Sequence, residues 1–155
     1  MTYEMALQRL SALCASAEHC EYEMTEKMRK WEVEESDCER IMEYLRKAKF
    51  VDDERYARAF VKDKIKYNKW GRRKVEQGLW AKHIAEDIRQ RVLDEVDESQ
   101  YKSVLTDLLK SKRRSIKAAN DYEMNRKLIK FALSRGFDYS IVRHCIDCDD
   151  YDEED

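Results

Sequence analysis

The chain has 155 residues, of which 41% are charged and 43% hydrophobic, with a net charge of −2, no proline and only three glycines. An ordinary globular domain carries about 25% charged residues, but the apolar share is enough for a core and excludes disorder as the default. Proline breaks helix interiors and glycine weakens them, so their scarcity predicts an all-α protein.

Taken in chain order, apolar residues at steps of three and four predict helices near residues 2–15, 21–31 and 36–48, then 52–69, 72–82 and 85–96, then 98–118, 121–134 and 138–147. Ser36, Asp52 and Asp121 are candidate N-caps, because their side-chain oxygens can accept the orphan amides of a first turn. Gly71 and Gly136 stand where helices should end.

A repeat underlies the pattern. Met24, Met28, Val33 and Ile41 are spaced by four, five and eight residues, and Val75, Leu79, Ile84 and Val92 repeat the spacing, as do Leu128, Ala132, Phe137 and Cys145. Steps of four keep two residues on one helical face, and the step of five crosses a turn. The expected organisation is three tandem three-helix repeats, 1–49, 50–97 and 98–147, followed by a disordered acidic tail at 148–155. Units of about 50 residues are marginal alone and should share a core with their neighbours, which predicts an elongated, curved array of about nine helices.

Charge is unevenly placed. Residues 1–57 hold 9 Lys/Arg against 14 Asp/Glu, residues 58–91 hold 11 against 4, and residues 102–118 hold 6 against 1. A basic middle between acidic ends points to a polyanion or an acidic partner. On a continuous helix, Arg55, Arg58, Lys62, Lys66 and Lys69 would form one cationic stripe, opposite the apolar Tyr56, Ala57, Phe60, Val61 and Ile65. These cations, with Lys112, Arg113, Arg114 and Lys117, can neutralise phosphates or can simply be a solvated face. Arg72, Arg73 and Lys74 are the first choice, since a helix N-terminus offers amide groups and a positive dipole end. Trp70 can stack on a base or pack at a corner between helices, while Trp31 and Trp80 are expected in the core or between units.

Phe50-Val51-Asp52-Asp53-Glu54-Arg55-Tyr56-Ala57-Arg58-Ala59-Phe60-Val61, followed by Trp70-Gly71, resembles the central motif of the RecX family of regulators of the RecA recombinase. Arg135-Gly136-Phe137 is similar to that family's basic-Gly-apolar turn, whereas Glu32 and His83 stand where the first two turns would often have Gly. The resemblance implies tandem three-helix units and a protein that binds the RecA filament on single-stranded DNA, inhibiting or modulating ATP hydrolysis and strand exchange. Direct contact with DNA would then be weak or filament-dependent. A general nucleic-acid-binding module and a helical scaffold for another protein are the alternatives.

No catalytic motif is present: there is no Gly-rich phosphate loop, His-Glu-x-x-His or Gly-x-Ser-x-Gly, so no enzyme activity and no cofactor are expected. Cys145-x-x-Cys148 lacks the second pair that a zinc site usually needs, and Cys145 falls on a core position of the repeat, so no metal is expected. No stretch approaches the ~20 apolar residues of a membrane span, and Met1-Thr2-Tyr3-Glu4-Met5 lacks the layout of a secretory signal. Five cysteines in no regular framework suit a reducing compartment. A cytoplasmic monomer is expected.

Overall fold

A computed structural model describes the backbone of residues 1–154 and the side chains of residues 1–146. Among the described residues there are nine helices and no strands: α1 (Tyr3–Ser16), α2 (Glu21–Lys30), α3 (Glu35–Lys47), α4 (Asp53–Lys66), α5 (Arg72–Ala81), α6 (Glu86–Asp94), α7 (Glu98–Ser115), α8 (Asp121–Ser134) and α9 (Tyr139–Glu154). Helix α9 runs to Glu154, past the end near residue 147 expected for it, and the side chains from residue 147 on, Cys148 included, lie outside the described residues. No described helix is long and apolar enough to cross a membrane.

The repeat positions form the core. Met24, Met28, Val33, Ile41, Val75, Leu79, Ile84, Val92, Leu128, Ala132, Phe137 and Cys145 are all buried. The five-residue step is the same turn each time. The amide of Val33 donates to Met28 O (3.0 Å), that of Ile84 to Leu79 O (3.2 Å) and that of Phe137 to Ala132 O (3.3 Å). Each closes a helix C-terminus through a residue in the left-handed region: Glu32 at φ 54°, His83 at 58° and Gly136 at 89°. This is the Schellman arrangement, which satisfies carbonyls that a helix end would otherwise leave bare.

Several local expectations are corrected. Asp52 does cap α4, accepting from the amides of Glu54 (3.0 Å) and Arg55 (3.1 Å). The α8 cap is Asn120, not Asp121, because Asn120 Oδ1 reaches the Glu123 amide at 2.9 Å. Ser36 lies inside α3, whose N-cap is Glu34. Helix α4 stops at Lys66 instead of 69. Lys69 turns left-handed at φ 58°, and the Trp70 amide donates back to Lys64 O at 3.2 Å. Lys69 therefore leaves the stripe. Trp80 is 68% exposed, since the buried face of α5 is set by Val75 and Leu79 and its next residue points away. Trp31 packs half-buried against the first core.

The chain divides into two compact units, one of Met1–Phe60 with Leu79–Val92, the other of Val61–Gly78 with Leu93–Asp155. In unit 1, Leu10, Met24, Met28, Ile41 and Leu45 from α1, α2 and α3 pack together with no accessible surface. In unit 2, α7, α8 and α9 pack against one another and bury Leu105, Leu109, Leu128, Phe137 and Val142.

Candidate functional site

The two units differ in charge. Residues 1–60 with 79–92 hold 13 Lys/Arg against 16 Asp/Glu, while residues 61–78 with 93–155 hold 18 against 17; seven of those 17 carboxylates fall between residues 147 and 155, which leaves 18 against 10 over residues 61–78 and 93–146. The cations in unit 1 are largely matched. Arg55 Nε donates to both Glu18 oxygens at 2.7 and 2.9 Å, and that bond holds its guanidinium above its usual value. Arg58 pairs with Glu54 at 3.6 Å, and Arg91 pairs with the same carboxylate. A phosphate reaching Arg55 or Arg58 would have to compete with these partners.

Unit 2 opens differently. Lys62, Lys66, Lys69 and Arg73 are exposed, and among the described residues none has a carboxylate within ion-pairing reach. Because α4 ends early, the chain folds back and sets the half-buried Trp70 beside two lysines: Lys64 Nζ lies 5.0 Å and Lys74 Nζ 4.9 Å from its ring centroid. Each such contact is worth about 0.5–1 kcal/mol at an exposed site. Trp70 thus packs at the corner and also gathers positive charge there.

The start of α5 is not the open amide site expected from its sequence. The Gly71 amide donates to Arg135 O at 2.8 Å and the Arg73 amide to Gly136 O at 3.0 Å, so the turn between α8 and α9 supplies acceptors to this helix end. Arg72 turns inward, with Nη2 donating to Asp94 Oδ1 at 2.6 Å and Nη1 to Leu93 O at 3.4 Å. Of the three residues at this start, Arg73 presents an open charge and Lys74 serves the Trp70 ring.

The same turn brings in a residue the sequence reading did not select. Arg135 Nη1 donates to Asn68 O at 3.2 Å, and its guanidinium lies 5.2 Å from the Phe131 centroid, while Lys112 Nζ lies 4.7 Å from that ring. Two aromatic rings, each carrying two cations, are linked through Arg135 and Asn68. Arg114 and Lys117 are exposed nearby in sequence and Arg113 is half-buried; the Lys117 carbonyl accepts from Lys127 Nζ at 2.8 Å. Spacing could not reveal Lys64 or Arg135, because both depend on where α4 ends and on a contact between residues 67 positions apart. The basic residue before Gly136 was the one visible signal.

Burial pushes the Cys20 thiol up to about 11 and the Tyr101 hydroxyl up to about 12, which keeps both protonated and unreactive near neutral pH. Among the described residues, no three His, Cys, Asp or Glu side chains gather as metal ligands would. What the geometry can do is offer fixed positive charge to an extended anion.

Comparison with known proteins adds to this picture. Residues 52–93 match the family description "RecX, second three-helix domain", and residues 100–146 match "RecX, third three-helix domain". The chain is similar to the regulatory protein RecX of Clostridium perfringens (strain 13 / Type A), 31% identical over 129 residues, covering 79% of this chain and 60% of that protein. It is also similar to that of Clostridium botulinum (strain Eklund 17B / Type B), 30% identical over 115 residues, covering 73% and 53%. The chain thus spans little more than half the length of these clostridial relatives. In fold it resembles the crystal structure of RecX from Lactobacillus salivarius, with a TM-score of 0.82 at 18% identity, covering 94% of each chain. A second crystal structure, of regulatory protein RecX, gives 0.84 at 20% identity, covering 94% of this chain and 71% of that one.

Proposed function

This chain belongs to the RecX family, and we propose that it binds the RecA recombinase filament on single-stranded DNA and restrains its ATP hydrolysis and strand exchange by binding alone, in the cytoplasm. The observation that carries the reading is the group of exposed cations in unit 2, Lys62, Lys66, Lys69 and Arg73, which have no ion-pair partner among the described residues and lie in the same unit as the lysine-flanked Trp70. Such a surface gains free energy on a polyanion by releasing its counterions and gives up no internal ion pair to do so. A recombinase filament offers nucleic acid phosphates, and protein carboxylates besides.

The same cations favour a second reading, direct binding to nucleic acid without any recombinase. The two readings part at one measurement, the DNA-dependent ATPase of purified RecA at low molar ratios of this protein, with single-stranded DNA in excess. A filament regulator suppresses the rate under those conditions. If added DNA abolishes the inhibition, competition for DNA explains it and the filament reading falls.

A further inference from the structure

We propose that Arg135 is the positioning residue that joins the two lysine-bearing rings, Trp70 and Phe131, into one continuous strip for the phosphodiester backbone of a single-stranded nucleic acid. This rests on the preceding reading that unit 2 carries the basic contact surface, and adds which residue makes that surface act as one site.

The argument starts from how Arg135 is held. It is the C-cap of α8, with φ −86° and ψ 0°, and its carbonyl accepts the Gly71 amide, which pins its backbone to the segment that bears Trp70. Its guanidinium is fixed twice more, by the bond to Asn68 O and by the Phe131 ring. None of these partners is a carboxylate, and among the described residues no ion pair neutralises it. A half-buried cation held only by a carbonyl and a ring face is a costly choice if its task is packing, since a neutral side chain would fill the space without desolvating a charge. A guanidinium has five N–H donors in a rigid fork. One is committed to Asn68, and the immobilised remainder suits an oxygen-rich anion.

Position gives the fork its second role. Phe131 receives Arg135 and Lys112 together, and Asn68, which accepts from Arg135, lies two residues before the ring that gathers Lys64 and Lys74. Removing the guanidinium would leave Trp70 with its lysines and Phe131 with Lys112, no longer tied to each other by a side chain. One strip would become two short patches, and a long strand would lose the benefit of engaging both.

The test uses the full chain and fluorescein-labelled oligothymidylates of about 5 and about 20 nucleotides, lengths chosen so that only the longer can engage both patches at once. Binding is measured against salt concentration for wild type, Arg135→Gln and Phe131→Leu, with thermal melting to check the fold. Losing one phosphate contact lowers the single-strand slope of log K against log salt by about 0.7. For Arg135→Gln the proposal expects a fall of about twice that on the long strand, with the short strand little changed. Phe131→Leu, which leaves every charge in place, should also lower the long-strand slope. A fall of one contact or less in Arg135→Gln, or an unchanged slope in Phe131→Leu, overturns the positioning role. No binding of either oligonucleotide by wild type at low salt overturns the strip itself, while the ATPase measurement judges the filament reading separately.

Discussion

Asp53 and Glu23 lie in the same unit and titrate in opposite senses. Burial raises the Asp53 carboxyl above its usual value, offset only in part by the Glu21 amide it accepts at 2.9 Å. Burial would also raise Glu23, but the Cys20 amide and the Lys82 ammonium, each at 3.2 Å, outweigh it and leave that carboxyl below its usual value. A raised folded value means stability that is present below the unfolded pKa and lost as pH climbs through the folded one; a lowered value means stability present above the unfolded pKa and lost as pH falls through the folded one. Asp53→Asn should therefore melt higher than wild type at neutral pH, with the advantage closing on acidification toward about pH 4. Glu23→Gln should melt lower at neutral pH and lose less in acid. Melting curves from about pH 3 to 7 decide both, and matching profiles for the two variants would contradict the assignment. Gly71 makes a steric demand. A Cβ there would stand 2.5 Å from the Gly136 carbonyl, so Gly71→Ala must push the two turns apart. It should cost about 1–3 kcal/mol, as overpacking does, measured by urea denaturation.

Four helix ends close without the residue best suited to close them, that of α4 through Lys69 at φ 58°. Glu32, Lys49 and His83 occupy left-handed turns at φ 54°, 61° and 58°, where a side chain costs roughly 1–2 kcal/mol relative to an unstrained backbone. Glu32→Gly and Lys49→Gly should each stabilise the chain by about 1 kcal/mol, since glycine gives back part of the strain as backbone entropy. Both residues are exposed, so little else is removed. At His83 the ring stacks on Tyr22 with centroids 4.0 Å apart, a contact worth about 0.5–1.5 kcal/mol, and His83→Gly should come out near neutral. A loss of stability in Glu32→Gly would show that the turn is not strained. These turns explain what could and could not be read ahead of the structure. The spacing of Met24, Met28, Val33 and Ile41 was legible because burial follows helical period and turn length, both local properties. The end of α4 was not, since no glycine or proline precedes Gly71 and the stop is made by Lys69 taking a left-handed conformation. Trp80 was misjudged because membership of an amphipathic helix does not fix which face its aromatic occupies. The pairs Arg55–Glu18 and Arg72–Asp94 join residues distant in sequence, so no spacing rule could separate spent cations from open ones.

For the molecule as a whole, net charge conceals the useful quantity, which is how much positive charge has no internal partner. Unit 1 is acidic and its stripe arginines are matched, whereas unit 2 carries exposed cations that have no ion-pair partner among the described residues. Surface cations without partners contribute little to folding, so they can be removed with small effect on stability. Arg55 and Arg58 instead hold ion pairs of their own unit. Replacing Lys62, Lys66, Lys69 and Arg73 together by Gln should leave the melting temperature nearly unchanged. If each group meets one phosphate, the single-strand salt slope should fall by about 0.7 per group removed, and inhibition of the RecA ATPase should weaken with it. Replacing Arg55 and Arg58 by Gln should do the reverse, lowering the melting temperature slightly and sparing the slope. The comparison is informative because both sets lie along one stretch of about 20 residues and remove the same kind of charge, so an unspecific electrostatic effect would scale with the number of charges alone. Equal loss of slope per charge in the two sets would mean that internal pairing does not select the contact surface, and the basis for assigning it to unit 2 would be gone.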